Sequence, residues 1–183
     1  MMIGNHDLLA GELRATARQF LDSFAGVTPE QWSFRPAPGR WSIAETAEHV
    51  TVVELSVHRL LTTRLLNLPA APEQRAEMKG KDMMVTTTMF DRSERRAAPE
   101  SVLPTGRWPD AGSLVQAFTA ARDETIGWLE KVEVDLRGYC APHPVLGLLD
   151  GKQWALFMAA HAERHARQIL EVKTAEGWPG GGR

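Results

Sequence analysis

The sequence predicts an all-α fold, a four-helix bundle with long connections between helices 1 and 2 and between helices 2 and 3. Three observations predict it: four stretches of helical apolar periodicity, Pro and Gly breakers between them, and capping signals that open two of the stretches on a definite residue. No stretch alternates well enough to be read as a strand, and no internal repeat is visible. At 183 residues the chain suits a single domain over residues 1–183, with 178–183 expected as a flexible tail.

The first helix carries Leu8, Leu9, Leu13, Phe20, Leu21 and Phe24 as its apolar stripe and ends before Gly26 and Pro29. From Thr28 to Arg40 the chain holds Pro29, Pro36, Pro38 and Gly39, which a helix cannot accommodate, so a loop is expected. Ser42-x-x-Glu45 is a capping box, because each side chain satisfies an orphan backbone donor of the other residue. The second helix therefore starts at Ile43 and is expected to run to about Leu68, ahead of Pro69 and Pro72.

The stretch from Glu73 to Asp110 reads as a long connection with a short helix or two before Arg96, followed by Pro99, Pro104, Gly106 and Pro109. Asp110 is the N-cap of a third helix through Leu114, Phe118, Ile126 and Leu129 to Val132. Asp150 and Gln153 form a second capping box and open a fourth helix to Glu176, with Gly177 suited to a left-handed C-terminal position.

Composition excludes several function classes. With 21 basic against 23 acidic residues and a net charge of -2, the chain lacks the electrostatic surplus that drives non-specific nucleic-acid binding. Only Arg92, Arg95 and Arg96 approach a basic patch. The single Cys140 cannot close an intramolecular disulfide, and no signal peptide or 18-residue apolar run is visible. A reduced, cytoplasmic protein with no nucleic-acid or membrane partner is expected.

The chemistry-bearing residues fall on the second and fourth helices. His161 and His165 are four residues apart, hence roughly 40° apart around the axis and one turn along it, so two imidazoles can converge on one ion. They share the inward stripe of Trp154, Met158, Gln168 and Val172. His49 on the second helix, one turn past Glu45, offers a third imidazole, and three of them make an open site with a position left for water or substrate. A zincin motif is excluded, since Ala162 follows His161 and Glu163 lies roughly 200° around the helix. The Glu-x-x-His spacing of di-iron bundles is absent as well.

The remaining candidates have plainer readings. His58 lies about half a rotation from His49 and is expected in solvent. His143, before Pro144, is an alternative ligand but suits a structural or supporting role better, and Trp41 and Trp154 are read as packing before pocket walls. Arg164 and Arg167 are read as solvated charges before anion-binding groups.

Three segments carry a resemblance: Gly39-Arg-Trp-Ser-Ile-Ala-Glu-Thr-Ala-Glu-His49, His143-Pro-Val-Leu-Gly147, and Gln153 to Ile169 with His161-x-x-x-His165 followed by Gln168. Together they resemble the DinB-like (YfiT-like) metal-binding four-helix bundles. The resemblance implies an up-down-down-up bundle holding a divalent metal (zinc, nickel or iron) through residues matching His49, His161 and His165, and a homodimer. It also implies a transferase acting with a low-molecular-weight thiol as cosubstrate on a small-molecule electrophile. The alternatives are a metal-dependent hydrolase or a bundle that binds metal or ligand without turnover. No catalytic side chain is assigned, the nucleophile being the coordinated water or thiol.

Overall fold

A computed structural model of the chain describes residues 4–93 and 97–180. The fold is mostly helical, built on four long helices: α1 (Gly4–Ser23), α3 (Ile43–Arg59), α6 (Ala111–Leu129) and α7 (Gly151–Lys173). Between them lie the shorter α2 (Pro29–Ser33), α4 (Pro72–Met78) and α5 (Lys81–Phe90) and one hairpin of β1 (Cys140–His143) and β2 (Gly147–Asp150). α1 packs against α6 and α7, α3 packs against the same two helices, and α5 lies on α7.

Each long helix buries the stripe its periodicity marks out, with one exception. Leu9, Leu13 and Phe20 of α1 and Phe24 just past its end are buried and Leu21 is half-buried, whereas Leu8 is 75% exposed. Leu8 lies one residue, about 100°, off the line of the others, which repeats at four- and seven-residue intervals. Both capping boxes form: Glu45 N–H donates to Ser42 Oγ at 3.2 Å and Ser42 N–H to Glu45 at 2.9 Å, and Asp150 and Gln153 exchange the same pair at 2.8 and 3.1 Å. Asp110 caps α6 through Ser113 N–H at 2.7 Å.

Several expectations need correction. Regular α geometry in the second long helix stops at Arg59, nine residues short, and gives way to a π turn over Leu60–Arg64 and a 3-10 turn over Leu65–Asn67. Leu61 and Leu65 stay buried across that change, so apolar spacing persists where the hydrogen-bond pattern does not. Pro29 opens α2 inside the expected loop, capped by Thr28 and Gln31. α7 ends at Lys173, and Gly177, at φ 77°, belongs to the turn that follows.

The expectation of no strand fails at residues 140–150, which pair antiparallel with Cys140 opposite Asp150 and His143 opposite Gly147. Gly147 closes the hairpin loop at φ 70°, a conformation that costs glycine little. Gly151, first residue of α7, has no room for a side chain: a Cβ there would lie 2.6 Å from Leu65 and 3.0 Å from the Leu136 carbonyl. That close approach sets the hairpin and α7 against the end of α3.

Trp178 packs edge-on to Phe34 with ring centroids 5.6 Å apart, and the Pro179 carbonyl accepts from Gln31. Residues 181–183 of the expected tail lie outside the described residues, as do Arg95 and Arg96. Arg92 is engaged with Glu171 on α7. Among the described residues no helix is long and apolar enough to cross a membrane.

The apolar interior forms two main clusters. One gathers Leu9, Leu13, Val53, Val57 and the first turns of α7, and the other gathers Phe20, Ile43, Val50, Phe118, Ala162 and Ile169. His49, His161 and His165 are buried where one cluster gives way to the other.

Candidate metal centre

α7 delivers His161 and His165 to the interior one turn apart, and α3 brings His49 against them from the facing helix. Ring centroids are 4.5 Å apart for His161 and His165, 4.9 Å for His49 and His165, and 5.1 Å for His49 and His161. One ring nitrogen of each lies within 4.8 Å of the others, a grouping that can hold a metal ion.

Neighbouring acceptors decide which nitrogens face inward. His49 Nδ1 lies 2.9 Å from the Val102 carbonyl, which can only accept, so Nδ1 carries the proton and Nε2 the lone pair. His165 Nδ1 lies 3.0 Å from Gln168 Oε1, and Arg92 donates to that same oxygen at 3.4 Å, so Nδ1 again carries the proton. His161 Nε2 is 3.2 Å from His49 Nε2, so a single proton between them serves that pair. No described residue donates to His165 Nε2, which keeps its lone pair for the centre.

A cation at the centre satisfies all three. Two nitrogens on a tetrahedral zinc at 2.0–2.1 Å stand about 3.3 Å apart, close to the spacing present. Outer acceptors that fix the imidazole tautomer are the usual supports of metal-bound histidine, and Val102 and Gln168 have that geometry.

Electrostatics favour the ligating form. Burial pushes His49 below the ordinary histidine value, against the Val102 hydrogen bond that raises it. Burial, followed by the neighbouring histidines, holds His161 well below it, and burial with His49 and Arg164 does so for His165. All three stay neutral near pH 7, as a metal ligand must.

One supporting residue leaves no mark in the sequence. Glu48, the neighbour of His49, is buried and accepts from the backbone N–H groups of Thr105 at 2.7 Å, Gly106 at 2.9 Å and Arg107 at 3.3 Å, and from the Arg107 guanidinium at 2.8 Å. Burial alone would raise its pKa; those donors outweigh it and hold it below the ordinary value. Glu48 thereby pins the connection that carries Val102 to His49. Its partners are 57 to 59 residues away, and no local pattern points to them.

The profile of the DinB superfamily matches residues 12–169. The chain belongs to the DinB superfamily. All three histidines of the centre lie inside the matched segment. The Bacillus subtilis protein YuaE, described as uncharacterized, is 24% identical over 148 residues, covering 81% of this chain and 86% of YuaE. No solved structure matches the chain significantly.

In this DinB-superfamily protein the histidines open onto a cleft of about 720 Å³, walled by Trp41, Val53, Val57, Trp154 and Phe157 and bordered by Arg92, Arg164 and Glu171. Trp41 stands 5.0 Å from His49, and Trp154 donates to the Ala141 carbonyl, so both tryptophans pack and line the cleft at once. A larger hollow of about 920 Å³ under α4 and α5 contains none of the histidines.

The other candidates separate from the centre. His143 lines the cleft but stands outside the three-histidine group. His58 is half-buried, against the expectation of solvent, because Thr125 on α6 lies 2.9 Å from Nδ1 and Glu124 3.2 Å from Nε2. Arg164 is no solvated charge either: it donates to the carbonyls of Met89 and Asp91 at the end of α5. Arg167 pairs with Glu163 and covers the Phe90 ring at 5.1 Å.

Proposed function

We propose that His49, His161 and His165 bind one divalent ion and that the protein is a metal-dependent transferase joining a low-molecular-weight thiol to a small electrophile in the adjoining cleft. The observation that carries the reading is the convergence of three buried imidazoles within reach of one ion, with two tautomers set by Val102 and Gln168. Zinc, nickel and iron all accept imidazole ligands. When bound, such an ion supplies a Lewis acid that makes a thiol or water a nucleophile near pH 7.

The chain's own residues do the rest. Val102 and Gln168 orient the ligands, Glu48 holds the connection that presents Val102, and the aromatic walls exclude water from an apolar substrate. Cys140 is not the thiol of this reading, since burial raises its pKa and it stands outside the cleft, near Gln74.

We infer an up-down-down-up bundle, supported by the pairings between helices. Ser23 lies by Lys173, Arg14 by Glu130 and Phe20 by Phe118, so α1 runs with α7 and against α6. Glu54 meets Arg122 and His58 meets Thr125, whereas Thr46 meets Gln168, so α3 runs with α6 and against α7. The exposed Leu8 supports a homodimer of this cytoplasmic enzyme, which light scattering at micromolar concentration reads.

Metal analysis of purified protein should find about one divalent ion per chain, lost in His161→Ala and His49→Ala. Full occupancy in either variant overturns the site. Thiol consumption with a model electrophile, abolished by chelation, is the expected activity. Turnover of an ester without thiol favours the hydrolase instead.

A further inference from the structure

We propose that His143 is the hydrogen-bond donor of a substrate subsite, presenting its Nε2–H to the carbonyl oxygen of an uncharged, apolar small molecule held in the cleft beside the three histidines. The inference rests on the reading of that cleft as the substrate site.

The hairpin turn assigns the proton. The backbone N–H groups of Val145 and Leu146 both point at His143 Nδ1, each at 3.1 Å. A backbone N–H can only donate, so Nδ1 holds the lone pair and the neutral ring carries its proton on Nε2. This is the reverse of His49 and His165, whose Nδ1 atoms donate. No described residue accepts from His143 Nε2, and that nitrogen is not among the sealed, unsatisfied polar atoms, so it is reachable from the cleft the ring lines.

The ring cannot turn away. It is held between Trp154 at 5.1 Å and Phe157 at 4.4 Å, and Phe157 in turn touches His161 at 5.2 Å. Burial pushes the His143 pKa down to about 4, so the imidazole is uncharged near pH 7. A fixed neutral imidazole polarises a carbonyl without itself becoming charged, which is an electrophile's role.

The chemistry of the surroundings selects the ligand. A carboxylate facing this neutral N–H would lose hydration with no charge on the imidazole to replace it. Of the arginines at the border, Arg92 is bidentate on Glu171 at 2.7 and 2.5 Å, Arg164 is on the Met89 carbonyl at 2.9 Å, and Arg40 lies in the field of the same Glu171 carboxylate. An uncharged carbonyl on an apolar frame meets no such penalty, and one hydrogen bond orients it.

The test separates the two nitrogens of His143. In His143→Asn the side-chain oxygen still takes the turn N–H groups but the amide falls short of the Nε2 position. In His143→Gln the amide reaches that position and the turn acceptor is lost. The probe is 4-(dimethylamino)cinnamaldehyde, whose absorption moves to longer wavelength as its carbonyl accepts a hydrogen bond. It is titrated into chelated protein, so that no ion contributes to the shift, and into metal-loaded protein in parallel.

Wild type and His143→Gln should shift the probe, whereas His143→Asn should bind it about tenfold more weakly without the shift and melt at the wild-type temperature. A wild-type-like shift in His143→Asn, no shift in wild type at millimolar probe, or a shift that merely follows melting temperature across the variants overturns the proposal. Elemental analysis of the same samples reads the three-histidine centre independently, so an empty centre beside a probe shift overturns the metal reading and leaves His143 standing.

Discussion

Two polar clusters are buried on α3 only five residues apart, and they differ in how their protons balance. In the first, Arg122 holds both oxygens of Glu54 at 2.6 and 2.7 Å and spends its remaining donors on the Leu13 carbonyl at 2.9 Å and Thr16 at 3.2 Å. Each nitrogen of the guanidinium and each oxygen of the carboxylate has a partner, and three helices are joined. In the second, one proton between His49 and His161 serves that pair, and no described residue donates to His165 Nε2. Burial of polar groups is common to both clusters. The spare lone pair belongs to the histidine cluster, the group that could hold a cation.

That contrast breaks most readily at the matched cluster. Arg122→Leu leaves Glu54 buried without a partner and should cost about 3 to 5 kcal/mol in urea denaturation, with metal content per folded chain unchanged. Adding Glu54→Leu should recover most of the loss, because a satisfied apolar pair replaces the stranded carboxylate.

The histidine cluster should respond to the ion instead. With free metal at roughly a hundred times its Kd, chelation should lower wild-type stability by about 2.7 kcal/mol, read from paired thermal melts. The same chelation should leave His161→Ala unmoved. A chelator effect that survives in this variant would place the ion elsewhere.

Acid sharpens the difference further. His49, His161, His165 and His143 all have folded pKa values below the unfolded value of about 6.5. The stability they contribute is complete above that value and is lost as pH falls toward the depressed folded values, for His143 down to about 4. Metal-free wild type should therefore lose stability between those limits, and His161→Gln should lose less. Circular-dichroism melts across this range provide the check.

The smallest effect is expected at Glu48. Glu48→Gln weakens four hydrogen bonds to the connection and should cost about 1 to 2 kcal/mol. Amide exchange at Thr105 and Gly106 should speed up, and metal affinity should fall by roughly tenfold because Val102 is held less firmly against His49.

Legibility in the sequence follows the range of the interaction. Ser42 with Glu45 and Asp150 with Gln153 satisfy one another across three residues, so the starts of α3 and α7 can be read to the residue. His161 and His165 share a helix face for the same local reason, and Gln168, on the same stripe, is visible beside them. The end of α3 is not legible, since Leu61 and Leu65 keep apolar spacing while the hydrogen bonds lengthen to a π turn. Nor is the hairpin: its four-residue strands include Pro142 and show no clean alternation. Val102 and Glu48 act across more than fifty residues, where only the folded topology sets the partner.

That separation gives the centre a history as well as a geometry. His161 and His165 become neighbours as soon as α7 is helical, an event of about a microsecond or less. His49 is 112 residues from His161, and its Val102 acceptor is 53 residues from His49, so the third ligand arrives only after large loops have closed. An ion met early finds two imidazoles, and one met late finds three. Under the proposed metal reading its grip on the chain would be greatest after the folding barrier has been crossed, and it would act as a latch, slowing escape from the native state far more than it hastens arrival. In stopped-flow experiments metal should lower the unfolding arm of the chevron and leave the refolding arm nearly in place.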